Sequence, residues 1–120
     1  MKVRAIEILP GEPAREIRID DSLDSLQSFV DGLIQVTYPF DDNVVIVSND
    51  EAKLIGMPGN RHIGRSIYAG PMLIVGETYD GGFCDLTDAQ VRRYLAMFRR
   101  PEQISDEEVQ DDMGFTIISL

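Results

Sequence analysis

Residues 44–47 read Val-Val-Ile-Val, an unbroken apolar run bounded by turn-forming residues 39–43 on one side and Asn49-Asp50-Glu51 on the other. Side chains of a strand alternate between faces, so apolar residues at every position predict a central strand covered on both faces. Outward from it, LIQVTY (33–38) has period two, with Ile34, Val36 and Tyr38 on one face. On the other side, IYAGPMLIVGETY (67–79) is broken by Gly70-Pro71. This predicts a bent arrival and then a buried strand over 72–78. Residues 52–57 fit either a returning strand or one helical turn.

The same reading extends to both ends. KVRAIEIL (2–9) reads as a strand whose alternation breaks at Ala5-Ile6, a sign of a bulge or of burial on both faces. Pro10-Gly11-Glu12-Pro13 is a turn, and AREIRI (14–19) alternates with Ile17 and Ile19 inward, which completes an opening hairpin. Ser22 is an N-cap candidate for a helix carrying Leu23, Leu26 and Val30, with Gly32 as its left-handed stop. Asp80-Gly81-Gly82 turns into a short strand at Phe83-Cys84. Thr87 and Gln90 form a capping box flanked by Leu86 and Val91, followed by the stripe Val91, Tyr94, Leu95 and Phe98. Ser105 and Glu108 repeat the box before a short helix from 106 to about 113, which Gly114 would end. FTIISL (115–120) has strand character and no charge.

The expected architecture is α+β, a mostly antiparallel sheet of about five to seven strands with two main helices on one face. Residues 1–100 form a single domain. Residues 101–120 supply an acidic short helix and an apolar C-terminal strand, packed on the domain or on a partner subunit as a homo-oligomer element.

The chain has 120 residues, 43% of them hydrophobic and 27% charged, with a mean hydropathy of -0.11. That is enough chain to bury a core without metals or disulfides, and the one cysteine, Cys84, rules out an internal disulfide. No apolar run approaches the roughly 18 residues of a membrane span, and the N-terminal stretch lacks a cleavable signal pattern. The expectation is a cytoplasmic protein. The net charge is -10, from 21 acids and 11 bases. Such a molecule is repelled as a whole by nucleic-acid backbone and anionic membrane. The charge is uneven: residues 61–100 hold 6 bases, all arginine, against 4 acids, whereas 101–120 hold 6 acids and no base.

Several stretches resemble a bacterial and phage family known only as domain of unknown function 3846. They are SLDSLQSFVDGLIQV, VVIVSNDEAKLIGMPGNRHIG, AGPMLIVG and LTDAQVRRYLAMF, within residues 1–98. The acidic tail lies outside the resemblance. The resemblance implies an accessory role in a phage, plasmid or conjugative element, and it carries no catalytic residues.

The sequence offers little chemistry. One histidine and one cysteine, without a CxxC or HExxH pattern, leave only an all-carboxylate metal site; its candidates, Asp41-Asp42, Asp50-Glu51 and Asp111-Asp112, lack calcium-loop spacing, so no metal is expected, and no cofactor motif occurs. Cys84 beside Phe83 reads as a buried, inert thiol. The expectation is therefore a non-enzyme. Its first candidate site is the loop PGNRHIGR (58–65), where Gly59 and Gly64 would let backbone amides approach an anion. Asn60, Arg61, His62 and Arg65 would hold phosphate there, with Arg92 and Arg93 as a second set. The bland alternative is a plain turn with Asn60 left-handed. The functional expectation is capture and sequestration of a small anionic, nucleotide-like ligand such as a host immune signal. The alternative is an acidic protein-binding inhibitor, a DNA mimic, carried by Asp106, Glu107, Glu108, Asp111 and Asp112 with Asp41 and Asp42.

Overall fold

The computed structural model describes residues 1–113. Its strands are β1 (Lys2–Ile8), β2 (Arg15–Asp20), β3 (Ile34–Thr37), β4 (Val44–Asn49), β5 (Gly59–Ile63), β6 (Ser66–Ala69), β7 (Met72–Glu77) and β8 (Phe83–Cys84). Its helices are α1 (Leu23–Val30), α2 (Asp88–Met97) and α3 (Asp106–Asp112). The main sheet is antiparallel in the order β2-β1-β7-β4-β3, with β8 added to β7, and β5 and β6 form a separate hairpin. The protein is thus α+β, as the patterning predicts. The predicted C-terminal strand over 115–120, and Gly114, lie outside the described residues.

The apolar run of β4 is buried at every position, like most of β7. Val44 and Ile46 join Ile6, Ile8, Met72 and Ile74 in one core, while Val45 and Val47 join Val3, Ala5, Leu73 and Val75 in another. The β1–β2 register runs unbroken from Lys2↔Asp20 to Glu7↔Arg15, so the irregularity at Ala5-Ile6 is two-sided burial and not a bulge.

Each core has its own cover, which corrects the expectation of both helices on one face. Leu26 and Val30 of α1 close the second core; Val91, Tyr94 and Phe98, from α2 and its C-cap, close the first. The reason is topological. β2 and β3 occupy opposite edges of the sheet, so the connection between them, α1, must cross one face. The β5–β6 hairpin joins β4 to β7 on the other, where Ile63 and Tyr68 pack beside α2's core.

Both capping boxes form, at Thr87/Gln90 and Ser105/Glu108, and Ser22 caps α1. Two local readings change. Leu23 is exposed rather than part of α1's buried stripe, and Asp31, not Gly32, takes the left-handed conformation at φ 59°. The buried side chain of Asn49 explains the second. Its Nδ2 donates to the Val30 and Asp31 carbonyls at 3.0 and 3.2 Å, closing the open end of α1. A Cβ on Gly32 would lie 2.6 Å from that nitrogen, so glycine is required there for close approach. Residues 52–57 are a helical turn: the Ile55 and Met57 amides donate to the Glu51 and Ala52 carbonyls.

Replacing Asn49 with alanine leaves two carbonyls at the helix end without this donor. We expect a loss of about 1–3 kcal/mol in urea unfolding, with the unfolding slope unchanged.

Candidate functional site

The segment 58–65 is not a loop. Gly59 to Ile63 form β5, because a bulge between Gly59 and Arg61 lets β5 pair with β6 while turning Asn60 and Arg61 inward. Gly59 is pressed against α3: a Cβ there would stand 2.8 Å from Ile104 and 3.0 Å from Val109. Asn60 is 0% and Arg61 1% exposed, and Asn60 is not left-handed.

Both polar side chains are committed inside the protein. Asn60 Nδ2 donates to the carbonyls of Ile8 and Gly70 at 2.9 and 2.8 Å. Arg61 Nη1 donates to Asn60 Oδ1 at 2.9 Å and to the Asn60 carbonyl at 3.2 Å. Arg61 Nη2 donates to the carbonyls of Glu12 and Phe98 at 2.6 and 3.0 Å. Burial pushes the Arg61 guanidinium pKa down, while the charge of Glu102 pulls it the other way. The guanidinium sits where α2 presents its negative end, and α2 has no basic residue of its own in its last turn.

The remaining predicted ligand residues do not converge on Arg61. His62 is exposed and tied to Glu102: its amide donates to Oε2 at 3.0 Å, and Nδ1 lies 2.6 Å from Oε1. Arg65 is exposed in the β5–β6 turn beside Gly64, which has φ 60°. Arg92 and Arg93 stand exposed on α2. Arg93 lies 3.7 Å from Asp42 and 5.4 Å from the centre of the Tyr94 ring.

The acidic candidates divide in two. Asp106, Glu107, Glu108 and Asp111 are exposed on α3, and Asp41 is exposed in the turn before β4. Two expected surface acids point inward instead. Asp42 accepts from Tyr94 Oη, Gln90 Nε2 and the Asn43 amide at 2.7, 3.0 and 2.7 Å. The Tyr94 hydroxyl, ahead of the opposing effect of burial, holds the Asp42 carboxyl below its ordinary range. Asp112 pairs with Lys53 and accepts from the Ile67 amide. Burial raises its pKa, but Lys53 and that amide together outweigh it and leave the pKa lowered.

A groove of about 460 Å³ opens where β3 and β4 face β6 and the 50–54 turn. Its walls include Gln35, Ser48, Leu54, Ile67 and Tyr68, and none of the six predicted ligand residues lines it. Tyr68 Oη lies 2.8 Å from Thr37 Oγ1 and spans the groove. The charges on its lining are Asp50, Glu51 and the already paired Lys53. The sequence pattern does not show this groove, because its residues come from separate elements that only the fold brings together.

Cys84 packs on Gly76, where an added Cβ would lie 2.9 Å from Sγ, and burial followed by Asp85 pushes its thiol pKa up. A raised pKa disfavours the nucleophilic thiolate. Among the described residues, no helix is long and apolar enough to cross a membrane.

These features define a small α+β protein with an internal arginine and an acidic exterior. Residues 1–99 match a family model described as "Domain of unknown function (DUF3846)", and the chain belongs to that family. The acidic helix α3 begins beyond the matched residues. No curated protein and no solved structure matches the chain.

Two outcomes test this assignment of roles. Arg61→Met and Arg61→Lys should each cost about 3 kcal/mol or more in chemical denaturation, because neither side chain reproduces a planar fork reaching carbonyls on three segments. If both variants keep wild-type stability, the internal role falls. Asp42, whose pKa is lowered on folding, contributes stability fully above the ordinary carboxylate range and loses it as pH falls through the folded value. Asp42→Asn should therefore be less stable than wild type near neutrality, and the gap should narrow in denaturant titrations taken down to about pH 2.

Proposed function

We propose that the protein is a non-enzymatic, stoichiometric binder of a basic protein partner, working in the cytoplasm as an accessory factor of a mobile element. Partners of this kind include DNA-processing or defence enzymes, whose nucleic-acid sites are rich in lysine and arginine. The observation that carries the reading is the placement of charge. Asp106, Glu107, Glu108 and Asp111 are all exposed on one short helix, and Asp50 and Glu51 are exposed beside the groove that the same end of the chain reaches through Met113. Carboxylates grouped in this way attract a basic surface and speed encounter with it.

The other expectation, capture of a nucleotide-like anion, has less support. Its central arginine is internal and its asparagine is engaged by backbone carbonyls. In the groove, a phosphate would meet Asp50 and Glu51. A small ligand there would more suitably be uncharged or cationic, with Gln35, Ser48 and Tyr68 as hydrogen-bonding partners.

Native mass spectrometry of the protein purified from its own host tests the choice. A salt-sensitive complex with a basic protein is expected, lost in the triple variant Asp106→Asn/Glu107→Gln/Asp111→Asn and kept in Arg65→Ala. A co-purifying small molecule with no protein partner would reverse the order of the two readings.

A further inference from the structure

We infer that the open edge of β3 receives an extended segment of a basic partner protein as an added strand. The inference rests on the reading above, that the molecule holds a basic protein, and it names where the partner's backbone docks.

The two edges of the main sheet differ in a way that sequence alone does not display. β2, at one end, carries Arg15, Glu16, Arg18 and Asp20 among its six residues, and Glu16 and Arg15 pair with Arg4 and Glu7. Charged edges of this kind are how natural sheets avoid unwanted pairing. β3, at the other end, reads Ile-Gln-Val-Thr: it has no charge and no proline, and three of its four residues are β-branched. Among the described residues it pairs only with β4. An edge with strong strand propensity and no guard is suited to accept another strand.

Its surroundings supply side-chain contacts. Leu33 before β3 and Tyr38 after it are 60% and 63% exposed, and Leu54 and Ile55 on the neighbouring turn are 66% and 56% exposed. That turn is fastened to the start of β3 by the Asp50 amide, which donates to the Leu33 carbonyl at 2.9 Å. Four large exposed apolar side chains around one short strand are more than the scattered exposure of an ordinary surface. The groove beside Gln35 and Thr37 has room for a side chain of the incoming strand.

Charge selects the occupant. Asp31, Asp41, Asp50 and Glu51 are exposed around the two ends of β3, and nearby Lys53 is engaged by Asp112. A second copy pairing through its own β3 would set acids against acids. A segment alternating apolar and basic residues places its apolar side chains on the groove side, against Leu33 and Leu54, and its cations toward the carboxylate rim.

The test uses isotope-labelled full-length protein and two synthetic eight-residue peptides, one alternating valine with lysine, the other valine with glutamate. Saturable amide shifts at residues 33–38 and 50–55 are expected with the lysine peptide, at least about tenfold tighter than with the glutamate peptide. Gln35→Lys, which places a charge on the edge, should weaken the lysine peptide about tenfold while the melting temperature holds. Shifts confined to α3 would overturn the strand docking and leave the acidic-face reading standing. Shifts at β3 that follow protein concentration without peptide would assign the edge to a second copy and overturn the basic-partner docking. No shift anywhere overturns both.

Discussion

The buried Arg61 guanidinium is the interaction on which the arrangement of elements depends. Through Glu12 it holds the turn between β1 and β2, through Phe98 the end of α2, and through Asn60 its own strand β5. Asn60 extends the knot to Ile8 and Gly70, the ends of β1 and β6. Three segments thus meet at one cation, and Asn60 ties the ends of two further strands to the same knot. An arginine suits the task because its fork is planar and always charged, so both terminal nitrogens donate to internal oxygens without a compensating carboxylate. Its Nε alone is buried with no partner among the described residues.

A second buried amide works in the same way at the other side of the sheet. Asn49 closes α1 from the end of β4 while its Oδ1 accepts from the Glu51 amide and starts the helical turn that follows. One side chain therefore joins a helix end to a turn, and that turn carries Leu54 and Ile55 to the surface beside β3. The exposed Leu54 and Ile55 thus follow directly on a turn whose start is hydrogen-bonded to a buried side chain. Interior satisfaction of polar groups and exterior presentation of apolar ones are coupled through the same residue.

Electrostatics divides the molecule unevenly. The cation expected to seize a ligand is internal, whereas Arg92, Arg99 and Arg100 remain exposed and Arg93 leans on Tyr94 and Asp42. Acids on α3 and around β3 are mostly exposed, apart from Asp112, which locks α3 to Lys53 and to β6. The positive excess of residues 61–100 is real in sequence but does not become a patch at Arg61, because a buried cation contributes packing and hydrogen bonds rather than surface attraction.

Local rules were readable from the chain alone. The run VVIV announces a strand covered twice, Thr87/Gln90 and Ser105/Glu108 announce helix starts, and Pro10 to Pro13 announce a turn, because each depends on neighbours within a few residues. Gly59, Asn60 and Gly64 misled for the same reason: their composition resembles a loop, and nothing local says that a bulge turns Asn60 and Arg61 into the core. Which helix covers which face, that Arg61 binds carbonyls of Glu12 and Phe98, and that β3 carries no charge on its edge and, among the described residues, pairs only with β4 were decided only in three dimensions. The element types and starts follow from short-range propensity, which is written in consecutive residues. The placement of a cation, an edge or a groove follows from contacts between segments dozens of residues apart, and only the folded chain brings those together.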